Sequence, residues 1–285
     1  MGLNSQKFPT AKPLENHSSL EEFSVTNWMG LGIWPKLSKY VQFDFNIETP
    51  LKIHPKAFLV FKTVDADRPS LPDKSFSITQ IIRWRLEITA YSTFEEFLNS
   101  SKRWHRCNYK KSKRIFEDYG ATVSLIEDDW TRYAEEAYAL YSNVAKHHND
   151  QLYDLSFFRT AAKRGDHSLI CAWFEGKMVG MFVLQKECKI LHSICCGMDY
   201  NHSTKCYVYS WLSYELIRHT IESQKFTTID VGMSANDSKE AIGFKPIPSR
   251  MDIYARGRLG HYFLKGLSRF VTATITSDAK LKINP

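Results

Sequence analysis

The run Ile229-Asp230-Val231-Gly232, followed by Lys239 and then Gly243-Phe244-Lys245-Pro246, constrains this chain more than any other segment. A short β-rich stretch ends in Asp-Val-Gly. A polar turn and a short helix follow, and the chain re-enters extended structure through Gly-Phe. Strand, short helix and strand in that order belong in an α/β architecture, where helices cover a sheet.

The upstream pattern agrees. Val41, Phe43, Phe45 and Ile47 alternate along a half-buried strand. Residues 58–61 and 78–88 supply two more strands, flanking a loop at 65–74 rich in Pro and Asp. With the irregular start at 1–38, these form a small β-rich lobe over residues 1–90. Trp28 and Trp34 either close a pocket or pack that lobe.

A main domain is expected over residues 91–260, and a C-terminal helix and tail over 261–285. Ser92/Thr93 and Glu95-Glu96 open a helix that runs to Tyr119, where Gly120 ends it. A strand at 121–126 precedes a helix that opens at Asp128/Asp129 and reaches about Lys146. A shorter helix covers 155–163. Residues 168–174 and 178–185 read as a hairpin around Glu175-Gly176-Lys177, and 189–198 as the next strand. Residues 207–223 are strongly helical, and 226–231 return to strand.

Composition narrows the class. Hydrophobic residues make up 43% and aromatics 14%, enough for a true core. No apolar run approaches the roughly 20 residues that a membrane span needs. Residues 1–22 lack the apolar centre of a signal peptide, so a cytoplasmic location is expected. The six cysteines show no metal-ligand spacing, and adjacent Cys195 and Cys196 would point to opposite faces of a strand. Buried free thiols are expected, and no metal.

The formal charge of +7 is concentrated. Between Lys102 and Arg114 stand seven Lys/Arg and no acid, with Arg103, Arg106, Lys110 and Lys113 on one helical face. The run is either a solvated surface or a dock for an acidic partner: an acyl-carrier protein, a phosphate-bearing cofactor or tRNA.

Several short motifs, taken in order, resemble the acyltransferase domain of Fem-type peptidoglycan-bridge aminoacyltransferases and their BioF2-like relatives, within the GCN5-related (GNAT) acyltransferases. Phe94-x-x-Phe97-Leu98 precedes the basic helix, and Phe157-Phe158 precedes the hairpin. Glu175-Gly176-Lys177-Met178-Val179-Gly180 forms the hairpin, and Gly197-Met198-Asp199-Tyr200 ends the next strand. Ile229-Asp230-Val231-Gly232, Lys239 and Gly243-Phe244 close the series. The resemblance covers rather more than half of the chain. It departs in lacking the Gly-rich loop that grips acetyl-CoA pyrophosphate, and in leaving room only for a reduced first lobe.

The resemblance implies a GNAT-like fold: a mixed, mostly antiparallel central sheet with flanking helices. It also implies N-acyl transfer. An amine attacks a thioester carbonyl in a gap between the strand ending at Met198 and the strand at 228–231. Lys239 would balance charge as the tetrahedral intermediate forms, or else be a surface lysine. Asp230 would orient the amine, or cap the following turn. His192 would serve as a base, or simply pack. Tyr200 or Tyr207 would protonate the leaving thiolate, or be structural.

For the donor, Ser203, Thr204, Lys205 and Tyr207 stand at a helix N-terminus that would either bind a phosphate in place of the absent loop or be an ordinary capped helix. Arg103, Arg106 and Lys110 would form a docking face. No tightly bound cofactor is expected. Acyl-CoA or a phosphopantetheine-linked donor enters as co-substrate, with a small-molecule amine as acceptor and acyl-carrier protein as a possible partner. Two alternatives stand beside this: aminoacyl transfer from charged tRNA, and a catalytically inactive GNAT-fold binding module.

Overall fold

The computed structural model describes residues 41–44, 59–65, 75–148, 153–232 and 236–255. The irregular start, Trp28, Trp34, most of the loop at 65–74 and the helix expected near 261–270 lie outside the described residues.

The described strands are β1 (Val41–Asp44), β2 (Leu59–Asp65), β3 (Ser75–Glu87), β4 (Thr122–Ile126), β5 (His167–Phe174), β6 (Lys177–Glu187), β7 (Ile190–Met198), β8 (Thr228–Asp230) and β9 (Lys245–Ala255). They stand in one sheet of order β1-β2-β9-β3-β8-β7-β6-β5-β4. Pairing is antiparallel except at β1/β2 and β7/β8. The strands of the expected first lobe therefore share a sheet with the rest, because β3 lies between β9 and β8.

Helices α1 (Phe94–Ser100), α2 (Arg103–Asp118), α6 (Val208–Ser223) and α7 (Asn236–Ile242) enclose one core with the sheet. Trp84, Leu86 and Ile229 face into it, with Phe116, Trp211 and Leu212 from the helices. On the other face α3 (Ala134–His148) and α4 (Leu155–Ala161) cover a second core that includes Trp130, Phe158 and Leu169. Helices on both faces explain why Leu169, Ile170, Cys171 and Ala172 are all buried in succession. The last short helix, α5 (Tyr200–Ser203), joins β7 to α6.

Two expectations change. The helix expected to run unbroken to Tyr119 is split, because Ser101 and Lys102 are extended (ψ 153° and 152°). The Ser101 amide and hydroxyl both donate to the Phe97 carbonyl, and the Arg106 guanidinium takes the Ser101 carbonyl. Those contacts end α1 and let α2 start in a new direction. The helix expected from Asp128/Asp129 begins later, at Ala134, after a 3-10 turn over Thr131–Tyr133. Asp129 Oδ1 accepts from the Thr131 amide at 2.9 Å, so the acid shapes that turn rather than the helix proper.

Close approach of α3 to β7 rests on one glycine. A Cβ on Gly197 would lie 2.6 Å from the Tyr141 amide nitrogen and 2.7 Å from the Leu140 carbonyl carbon. Neither backbone atom can yield without moving the helix.

Candidate active site

The parallel pairing of β7 with β8 is short: Ile190 with Thr228, Leu191 with Ile229, and His192 with Asp230. There β8 stops, while β7 runs on to Met198. The next residues follow β3 instead. The Val231 amide donates to the Trp84 carbonyl at 2.9 Å, and the Trp84 amide to the Gly232 carbonyl at 3.0 Å. Gly232 has φ +69°, which only glycine adopts without strain, and here the chain swings away from β7. A gap thus opens between residues 193–198 of β7 and the end of β8.

Asp230 holds that opening in shape. Its side chain is fully buried, and it takes Arg83 at 2.9 and 2.7 Å and Arg85 at 2.8 Å. The Gly232 amide adds a bond of 2.8 Å to Oδ1. Burial alone would push this carboxyl up. The Arg83 guanidinium, with Arg85 and nearby His192, outweighs burial and holds it well below the usual carboxylate range. Both oxygens are thus engaged in tying β8 to β3.

Lys239, on α7, is 3% exposed, so it is not the surface lysine of the alternative reading. Its Nζ donates to the Gly232 carbonyl at 3.2 Å, where the gap begins. Burial lowers its pKa to about 8, against opposing pulls from Cys196 and Asp230 and a small push from Arg83. Cys196, on the unpaired part of β7, is half-buried on the α6 side, while Cys195 packs on the α3 side. Burial raises the Cys196 thiol to about 11, with Lys239 opposing. Sequence reading treated Cys196 as one more buried thiol. Its place beside Lys239 follows from the splay and has no local signal.

His192 is buried on the sheet face opposite α6, in register with Asp230. Its Nε2 lies 3.1 Å from Glu187 Oε2. Tyr200 starts α5, is 38% exposed, and sets its ring 5.0 Å from that of His147. Asp199 caps this helix through the Asn201 amide at 2.9 Å.

The donor-side residues divide. Tyr207 is the N-terminal cap residue of α6 in a left-handed conformation (φ 55°), and no side chain caps that helix. The first-turn N–H groups of α6 thus lack a side-chain cap, and a helix N-terminus is where an anion can bind. Lys111, which sequence reading did not single out, lies with Nζ 5.0 Å from the Tyr207 ring centre. Lys205 is exposed next to this end. The Thr204 hydroxyl donates to the Tyr200 carbonyl at 3.2 Å, and the Ser203 amide to the Asp199 carbonyl at 2.7 Å. On α2, Arg103 and Lys110 are exposed, but Arg106 is half-buried against Ser101 and does not share their open face. The inner side of α2 steadies the site: His105 Nδ1 lies 3.1 Å from the Ala241 carbonyl, and Asn108 donates to the same oxygen at 3.1 Å. Among the described residues no cluster of His, Cys, Asp and Glu could hold a metal.

Residues 103–240, just under half of the chain, match the family model for an acetyltransferase (GNAT) domain. Among solved structures, FemX aligns with TM-score 0.51 at 12% identity, over 69% of this chain and 72% of that one. L-PGS from Bacillus licheniformis aligns with TM-score 0.50 at 11% identity, over 74% and 72%. No curated protein sequence matches the chain. At such identities the structural likeness bears on fold alone. The chain thus has a GNAT-like fold, a mostly antiparallel mixed sheet with flanking helices, within which residues 103–240 are similar to an acetyltransferase (GNAT) domain.

Proposed function

We propose that this chain is an N-acyltransferase that moves an acyl group directly from an acyl-thioester, on CoA or on an acyl-carrier protein, to an amine. The observation that carries this reading is the gap between β7 and β8 with the Lys239 ammonium at its edge. The donor's phosphate-bearing arm lies at the N-terminus of α6, near Tyr207, Lys205 and Lys111, and its thioester reaches into the gap. The unpaired edge of β7 at 193–198 supplies backbone N–H and C=O groups to bind it.

The amine nitrogen attacks the carbonyl carbon and the C–S bond breaks. His192 is the proposed base for the amine proton, and Tyr200 the proposed donor to the leaving thiolate. Lys239 offsets the negative charge that builds on the carbonyl oxygen, a role that gains strength where water is excluded. Asp230 acts through Arg83 and Arg85 by keeping the gap open, and is a positioning residue.

A second reading has its own observation. The outer face of α2 presents Arg103, Lys110, Lys111, Lys113 and Arg114, with Trp104 43% exposed and stacked on His105 at 3.9 Å. Cations beside an open aromatic suit a nucleic acid, and so a charged-tRNA donor of the Fem type.

The test supplies purified protein with acyl-CoAs, acyl-carrier proteins and aminoacyl-tRNAs, each with pooled amines. Amine-dependent thiol release, lowered about 100-fold by Lys239→Ala, is the expected result. Deacylation of charged tRNA alone would move the assignment to the second reading. A folded protein inert to every donor would leave the gap a binding site without transfer.

A further inference from the structure

Glu187 and His192 stand on either side of the β6–β7 turn, at the closed end of the gap. Across the ladder Glu187 faces Ile190 and Gln185 faces His192, so the two side chains meet diagonally. Their exposures are 8% and 4%, and Glu187 Oε2 lies 3.1 Å from His192 Nε2. The contact is short but not aligned as a hydrogen bond, and His192 Nδ1 and Glu187 Oε1 have no hydrogen-bond partner either. Unmet capacity on two buried polar side chains is costly, and a core built for stability alone would not retain it.

The surroundings bear on what the pair can do. From β8, Asp230 stands in register with His192, and from β3 Arg83 and Arg85 are both committed to Asp230. Lys186, next in chain to Glu187, turns outward to Glu127 at 3.8 Å. Glu187 is thus the carboxylate that reaches the imidazole.

We infer that Glu187 is the positioning residue for His192. It holds the imidazole with its proton on Nε2, so that the Nδ1 lone pair is the base for the acceptor amine. The inference rests on the acyl-transfer reading above. As the amine nitrogen bonds to the carbonyl carbon, its proton passes to Nδ1, and the C–S electron pair leaves with the thiolate. Glu187, 3.1 Å from Nε2, offsets the charge that the imidazole takes up, the logic of a base oriented by a third group.

The experiment compares kcat and KM of the wild type, Glu187→Gln and His192→Gln, using whichever donor the panel identifies. Glu187→Gln keeps shape and an acceptor oxygen but removes the charge. It should lower kcat about 10-fold with KM within about twofold. His192→Gln should lower kcat at least as far. Ring nitrogen NMR of the folded protein should show the His192 proton on Nε2, and a change of its resonances in Glu187→Gln. Unchanged His192 ring resonances in Glu187→Gln, even with a lower Tm, would reduce the pair to a brace for the hairpin and overturn the inference while transfer itself stands. Wild-type kcat in His192→Gln would do the same. A wild type inert to every donor would instead sink the acyl-transfer reading.

Discussion

Lys239 shows most plainly how burying one charged residue works against stability. Below pH about 8 the folded state holds an ammonium that water would solvate better. Between about 8 and the ordinary lysine range near ~10.4 the unfolded chain binds the extra proton, so stability rises with pH across that window. Lys239→Met removes the penalty. It should raise Tm at pH 7, flatten the rise above pH 8 and abolish transfer, as calorimetry and the thiol-release assay would show. In the wild type, kcat should fall above pH 8 as the ammonium deprotonates. Asp230 behaves in the opposite sense. Asp230→Asn leaves Arg83 and Arg85 buried without their counter-charge, and should cost about 3–5 kcal/mol in denaturant titration. The clamp's stabilisation in the wild type is present at neutral pH and is lost only in strong acid, because the depressed carboxyl must be protonated first.

Among the elements, β7 carries the site and α3 fixes its course. Gly197→Ala would drive a methyl into the Tyr141 and Leu140 backbone, so either α3 or the open edge of β7 must shift. The expected loss is about 1–3 kcal/mol, with a fall in kcat larger than the loss of folded protein explains. A kcat that follows folded fraction alone would show that the gap tolerates the displacement. The break between α1 and α2 has a different lesson. Both halves are helical by pattern, and the capping serines look harmless in a helix. Only the meeting of Ser101 with Phe97 and Arg106 ends the first and frees the second to run across α6 and α7.

For the molecule as a whole, excess charge is gathered on one helix whose outer face is open. Paired reversal, Arg103→Glu with Lys110→Glu, should raise KM for a carrier-protein or tRNA donor about 10-fold at low salt while leaving kcat unchanged. The effect should shrink toward nothing near 0.5 M salt, where the Debye length falls to about 4 Å. A free acyl-CoA donor would show little change, so the salt series also distinguishes the donor classes.

The sequence by itself determined the order of elements, because periodicity, turns and caps are local. The hairpin at 175–177, the strand ending at Met198, the apolar helix after it and the strand closing in Asp-Val-Gly are each legible from neighbouring residues. Lys239 stands out only through the family resemblance, by its place four residues ahead of Gly243-Phe244. What only the tertiary structure decided is how charges separated by long stretches of chain meet. Arg83 and Arg85 alternate with Trp84 and Leu86, a hint that two cations share one buried face, but nothing local names Asp230 as their partner. The gap arises for the same reason. Whether the chain after Asp230 follows β7 or β3 depends on hydrogen bonds to Trp84 and on the arginine clamp, and those form only once the sheet is assembled.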